Sequence, residues 1–363
     1  MSREAKIKEF EEELRNTKYN KKTQHHIGLV KAKIARLKEE IETKKKGKGK
    51  SSGYVLKKSG DATVVLVGFP SVGKSTLLNA ITNAESKVAA YEFTTLTVIP
   101  GLLEYNHAKI QLFDVPGIVK GAADGTGKGK EVLAAIRSAD MIVIVLDINQ
   151  IKHKSIIEKE IYDSGIRLNK TKPDVRIKKT PKGGISVAST VKLDMKKETI
   201  KAILNEFKIT NADVLIRSKI DEDSLIDCIE QNKKYMPGLL VLNKIDTTTD
   251  EELKNLKEKY PEAIFISADK RQNLEELKET IFDKLQFIRI YLKQPGKEAD
   301  MKEPLIMKNN ETLNDLCLKL HKDFMTKFKF ARIWGSSAKY DGQKRTNLNH
   351  VLKDKDIVEI HLK

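Results

Sequence analysis

The sequence predicts an α/β protein of the P-loop NTPase type: a doubly wound parallel sheet with smaller modules before, within and after it. Three observations carry this. First, the apolar runs ATVVLVGF (62–69), KIQLFDVPG (109–117), MIVIVLDI (141–148), LLVLNKID (239–246) and AIFISA (263–268) alternate with helical patterns at 75–84, 132–138 and 274–285. That alternation is the texture of buried parallel strands joined by crossover helices. Second, GFPSVGKST (68–76) closes the first run and opens the first of those helices, the setting a phosphate-binding loop requires. Third, 363 residues are too many for one ordinary domain.

Taken in order, residues 3–18 and 27–43 read as two amphipathic helices, with Ile7, Phe10, Leu14 and then Val30, Ile34, Leu37, Ile41 at helical spacing. Tyr19-Asn20-Lys21 breaks the pattern between them, so a helical hairpin is expected, followed by the basic glycine-rich linker KKKGKGKSSG (44–53). The core alternation starts at 62 and is interrupted at 151–235, far more than a usual connection. That stretch carries GGISVAST (183–190) and a helical pattern at 196–207, which suggests a small α/β insert. After the helix at 274–285, strands near 288–292, 304–307 and 357–362 with a helix at 312–322 suggest a β-grasp module. The expected divisions are 1–58, 59–150, 151–235, 236–289 and 290–363.

Charge follows these divisions. The net +17 is made of surpluses of +10 in 1–58, +6 in 151–235 and +5 in 290–363, leaving −4 for the remainder with the P-loop. Basic appendages around a mildly acidic core point to a polyanionic partner, because Lys and Arg release condensed counterions on binding; plain solubilisation is the other reading. No apolar stretch approaches the roughly 20 residues of a membrane span, and MSREAKIKEF has no apolar signal region, so no membrane partner is expected. The two cysteines, Cys228 and Cys317, lie among apolar neighbours without metal-like spacing. Buried reduced thiols fit a cytoplasmic protein.

The chemistry sits at strand ends. In Gly68-Phe69-Pro70-Ser71-Val72-Gly73-Lys74-Ser75-Thr76, the glycines let the backbone turn its N–H groups toward phosphate oxygens. Lys74 places a cation between β- and γ-phosphates, and the Ser75 hydroxyl is a Mg²⁺ ligand candidate. Asp114-Val115-Pro116-Gly117 ends the next run: the Asp can hold the Mg²⁺ shell and the Gly117 N–H can sense the γ-phosphate. In YEFTTLT (91–97) one threonine should complete the Mg²⁺ shell, Thr95 ahead of Thr94. Asn243-Lys244-Ile245-Asp246 supplies a carboxylate able to accept guanine N1–H and its exocyclic amine, a pair adenine lacks, and a backbone N–H at Ser267-Ala268 can reach guanine O6. GTP and GDP are therefore the expected ligands, bound along the carboxyl edge of the sheet.

GFPSVGKSTLLNAIT, YEFTTLTVIPG, DVPGIVKGAADGTGKGKEVLAAIRSAD and NKID together resemble the Obg-related GTPases, closest to the developmentally regulated GTP-binding protein branch, over nearly the whole chain. The resemblance implies a C-terminal TGS domain of β-grasp fold, GTP hydrolysis, and association with ribosomes and translation. Ile118 stands where Ras-like proteins carry the water-orienting glutamine, which implies slow intrinsic hydrolysis stimulated by a protein partner or a monovalent cation. Some relatives recruit K⁺ through a P-loop asparagine; Ser71 holds that place here, which leaves K⁺ open. Gly121, Gly125, Gly127 and Gly129 give the segment after Gly117 freedom to order with nucleotide state, or form a passive loop.

In the last module Lys327, Lys329, Arg332, Lys339, Lys344 and Arg345 interleave with Phe328, Phe330, Trp334 and Tyr340. That mixture suits RNA through phosphate contact and stacking, with Lys327, Lys329, Arg332, Lys344 and Arg345 as candidates; aromatics filling the module's own core is the alternative. A nucleotide-state switch on ribosomes or RNA is the leading expectation, with no DNA partner. A nucleotide-gated scaffold binding an acidic surface is its rival, and NKID argues against a metabolic kinase.

Overall fold

The computed structural model describes residues 2–20, 22–46, 60–82, 99–115 and 129–363. The chain begins with α1 (Arg3–Asn16) and α2 (Gln24–Lys46), then β1 (Ala62–Val67), α3 (Lys74–Ile81), β2 (Ile99–Tyr105), β3 (Ala108–Asp114), α4 (Gly129–Ser138), β4 (Met141–Asp147) and α5 (Lys154–Asp163). An inserted stretch holds β5 (Ile166–Leu168), β6 (Val175–Lys179), β7 (Ile185–Ser189), α6 (Lys197–Glu206), β8 (Ala212–Ile216), α7 (Glu222–Glu230) and β9 (Lys234–Met236). The sheet resumes with β10 (Gly238–Asn243), α8 (Asp250–Lys259), β11 (Ile264–Phe265) and α9 (Leu274–Lys284). The end carries β12 (Phe287–Lys293), β13 (Leu305–Lys308), α10 (Leu313–Leu320), α11 (Lys322–Lys327), β14 (Phe328–Trp334), β15 (Gln343–Arg345) and β16 (Ile357–Leu362).

The six-stranded sheet runs β11-β10-β4-β1-β3-β2. All neighbours pair parallel except β2, which lies antiparallel on β3. Every residue of β1 and β4 is buried, which explains their unbroken apolar runs. β2 answers no strand pattern in the sequence, since IPGLLEY holds Pro100 and Gly101. An edge position tolerates both, and Gly101 is needed: a Cβ there would stand 2.5 Å from Thr82 Cγ2 and 2.9 Å from Leu78 Cδ1. Asn106 and His107, at φ 47° and 67°, close the β2–β3 hairpin.

The C-terminal sheet, β13-β12-β16-β14-β15, buries Ile290, Ala331, Ile333 and Val358 against Leu313 and Leu316 of α10. With β12 and β16 parallel and the other neighbours antiparallel, this is a β-grasp fold. It joins the base of the six-stranded sheet through ion pairs. Lys308 Nζ donates to Asp140 at 2.7 Å, and Lys319 Nζ reaches Asp61 at 3.3 Å. The same two carboxylates accept the backbone N–H groups of Thr63 and Lys109.

By its internal contacts the chain forms two compact units, 54–164 with 236–363, and 1–53 with 165–235. The insert thus begins at 165, not 151, because the 3-10 turn Ile148–His153 and α5 stay with the large sheet. The N-terminal hairpin, expected as a basic segment separate from the insert, packs with it in one unit. Ile7, Val30 and Ile34 join α1 to α2. On a second face of α2, Ala32 and Ala35 enter the core formed by α6, α7 and the sheet β6-β8-β7. Arg36 to Glu206 (3.0 Å) and Lys31 to Asp223 (2.8 Å) border that contact.

Candidate nucleotide site

The P-loop leaves β1 and re-enters at α3, and its shape is enforced by what surrounds it. A Cβ on Gly68 would stand 2.3 Å from the Val145 carbonyl oxygen, so only glycine passes there. Ser71 and Gly73 take positive φ, 66° and 93°, which curls the loop back to the start of α3. Lys74 is 8% exposed and its Nζ donates to the carbonyl oxygens of Gly68 and Phe69 at 3.1 and 3.0 Å. Burial lowers its pKa, and the nearby Asp114 carboxylate opposes this only in part. A half-desolvated ammonium inside a ring of backbone groups is poised for an anion. The Ser75 hydroxyl donates to Asp114 Oδ2 at the end of β3, so the hydroxyl and carboxylate proposed for Mg²⁺ already meet. Phe69 is half-buried, Val72 buried, and Pro70 and Thr76 exposed.

The base-side residues are bound to the same loop. Asn243 Nδ2 donates to Val72 O at 2.9 Å, and its Oδ1 accepts from Ala268 N at 2.9 Å. One side chain therefore braces the P-loop against the Ser267-Ala268 turn, where the two candidate N–H groups for guanine O6 donate to Asn243 Oδ1 (from Ala268) and to Gln272 O (from Ser267). Lys244, at φ 69°, donates from Nζ to Ser71 O at 3.0 Å. Asp246 is exposed, and the wholly buried Ser267 donates its hydroxyl to Asp246 Oδ1. Asp147 is a residue that the sequence motifs do not include, although a carboxylate closing the all-apolar MIVIVL was its signal. Its Oδ2 lies 2.8 Å from Lys244 Nζ. Burial pushes its carboxyl up, but hydrogen bonds from Lys244 and from Asn149 N outweigh that and hold it below the usual carboxylate range.

Thr94, Thr95, Gly117, Ile118, Gly121, Gly125 and Gly127 lie outside the described residues. The basic candidates of the last module do not converge on one surface. Arg332 and Lys344 are cross-strand neighbours, both exposed. Arg345 pairs with the core residue Ala331, on the other face, and its Nε is buried without a hydrogen-bond partner. Lys327 ends α11, and Lys329 is exposed near the irregular start of the β14–β16 pairing. Two of the aromatic rings, Phe330 and Trp334, are covered from within the module, whereas Tyr340 is 65% exposed. Phe330 is stacked on His361 at 4.2 Å with Lys344 Nζ 4.4 Å above it, and Trp334 carries Lys293 Nζ at 4.3 Å. Around Arg332 and Lys344, that leaves charge rather than stacking on Phe330 or Trp334 as what the surface offers.

An exposed carboxylate at Asp246, beside a P-loop on one carboxyl edge, fits a P-loop protein of the guanine-nucleotide class. Family models agree. Residues 63–179 match the 50S ribosome-binding GTPase model, 182–287 the C-terminal region of that domain, and 288–362 the TGS domain. Among similar proteins, an uncharacterized GTP-binding protein of Methanocaldococcus jannaschii is 53% identical, covering 100% of this chain and 94% of that protein. Developmentally-regulated GTP-binding protein 1 of Xenopus laevis is 46% identical over 98% of each chain, and Ribosome-interacting GTPase 1 of Saccharomyces cerevisiae 43% over 98% of each. The chain belongs to the developmentally regulated GTP-binding protein family, and it is a GTPase.

Proposed function

We propose that this protein is a Mg²⁺-dependent guanine-nucleotide switch that acts on ribosomes or ribosomal RNA. The observation that carries the nucleotide half is the bracing of the P-loop by Asn243 and Lys244, which makes phosphate and base binding one structural event. In this reading the loop from Gly68 to Thr76 and Lys74 hold the phosphates, and Asp246, oriented by the Ser267 hydroxyl at the Ser267-Ala268 turn, reads the base. Ser75, Asp114 and Thr95 hold Mg²⁺, whose chemistry is to neutralise charge between β- and γ-phosphates. Gly117 reports the γ-phosphate. The donor set suits Mg²⁺, which keeps most of its shell as water and phosphate oxygen and takes few protein ligands. With isoleucine at 118, hydrolysis is slow until a protein partner or a monovalent cation such as K⁺ orients the water.

The ribosome half rests on the name of the yeast relative, the name of the matching GTPase model, and the basic surfaces. Among the described residues no helix is long and apolar enough to cross a membrane. Because the N-terminal hairpin is part of the insert's core, the discriminating test is charge reversal, not truncation. Arg332→Glu with Lys344→Glu is expected to leave GTP affinity unchanged and weaken ribosome pelleting, most at low salt. The salt slope should fall by about one for each phosphate that the variant no longer neutralises. Pelleting equal to wild type at every salt would remove the RNA role of this face. Pelleting that survives nuclease would favour an acidic protein partner.

A further inference from the structure

We infer that Asp147 is a positioning residue for the bound guanine nucleotide, holding Lys244 against the P-loop so that base loop and phosphate loop stay in register. This rests on the guanine-site reading above and assigns a residue outside the four strand-end motifs.

The geometry is a closed ring of contacts. Lys244 Nζ sits between Ser71 O at 3.0 Å and Asp147 Oδ2 at 2.8 Å. The other carboxylate oxygen accepts from Asn149 N at 2.9 Å. Asn149 Nδ2 then donates to Thr247 Oγ1 at 3.0 Å, and Thr247 Oγ1 donates to Lys244 O at 2.8 Å. Asp147 is 8% exposed and is fixed by the fully buried β4. Lys244 itself is in left-handed backbone conformation, which a side chain with a Cβ adopts only when its surroundings hold it there. A lysine on four rotatable bonds has no preferred direction of its own. Two acceptors on separate elements, one in the P-loop and one on β4, give it one.

The sign of the effect separates this role from plain electrostatics. Asp147 is a negative charge near a site for polyphosphate. If it acted only through its field, removing the charge would tighten nucleotide binding. A positioning role predicts the reverse.

The experiment uses the full chain loaded with fluorescent GDP and compares Asp147→Asn, Lys244→Met and the double variant. Asparagine keeps the shape and the bond from Asn149 N while removing the charge. The expected result is release about tenfold faster in Asp147→Asn, the size of a coupled pair in one network, and larger than any change in single-turnover hydrolysis of preloaded GTP. The double variant should release no faster than Lys244→Met alone. Release at or below the wild-type rate in Asp147→Asn, or effects of the two substitutions that add, would overturn the inference. Asp246→Asn is the separating control. If it retains GTP, the guanine-site reading and this inference fall together. If it loses GTP while Asp147→Asn releases GDP at the wild-type rate, only this inference falls.

Discussion

Asp246→Asn is expected to abolish useful GTP binding and to create affinity for xanthosine nucleotides. The carboxylate is exposed at the mouth of the site and is oriented from behind by the Ser267 hydroxyl. As an ion it can accept two hydrogen bonds from guanine, from N1–H and from the exocyclic amine. Bonds to a charged group are worth about 1.5–3 kcal/mol each, so losing both costs a factor on the order of 10² to 10⁴ in affinity. An asparagine amide turns its N–H₂ toward the base, where the exocyclic amine of guanine repels it and the second carbonyl of xanthine accepts from it. Ser267 can still donate to the asparagine oxygen, so the loop should keep its form. A competition titration decides the matter: variant protein that still prefers GTP to XTP would show that Asp246 does not read the base.

Deleting residues 1–46 is expected to unfold the 165–235 half of the small unit while leaving the large unit folded and able to bind GTP. α2 is one wall of that half. Gly28 shows how close it lies: a Cβ there would stand 3.2 Å from Glu222 Cγ and 3.3 Å from both Ile203 Cδ1 and Thr199 Cγ2. Those three residues are 2%, 0% and 1% exposed. Without the hairpin they face water, and the pairs from Lys31 and Arg36 vanish with it. The burial removed is worth on the order of 5 kcal/mol, comparable with the whole stability of a small domain. Hydrogen exchange across 165–235 is the measurement, and amide protection equal to the full chain would disprove the packing role. Gly28→Leu is the milder version, forcing a side chain into the interface and lowering the melting temperature of the same unit.

These two cases show what the sequence discloses and what it hides. The nucleotide edge was legible because each of its parts is a short local signal, and their order along the chain checks itself: Lys74, Asp114, Asp246 and Ser267 each end or follow a strand. The docking of α2 was not. Its contact with α1 uses large residues, Val30 and Ile34, at visible helical spacing. Its contact with α6 and α7 uses Gly28, Ala32 and Ala35, a stripe of small residues that hydrophobic patterning passes over. Glycine inside a helix costs about 1 kcal/mol relative to alanine, and that local cost was the only sequence hint of a close neighbour. Strand β2 was hidden for a similar reason, since Pro100 and Gly101 read as breakers when they are fitted to an edge. Asp147 escaped notice because its partner Lys244 lies 97 positions later, and no spacing rule links them.

The ion pairs beneath the large sheet also give the molecule a polarity. Asp140 and Asp61 grip the β-grasp module at the foot of β1, and the P-loop springs from the head of that same strand. Six fully extended residues span about 20 Å, so β1 works as a ruler with a handle at one end and a nucleotide at the other. Whatever takes hold of the handle sets where the nucleotide edge points and how far it reaches. A surface that captures the β-grasp module would thus meet GTP at a fixed height above it, like a lamp on a post.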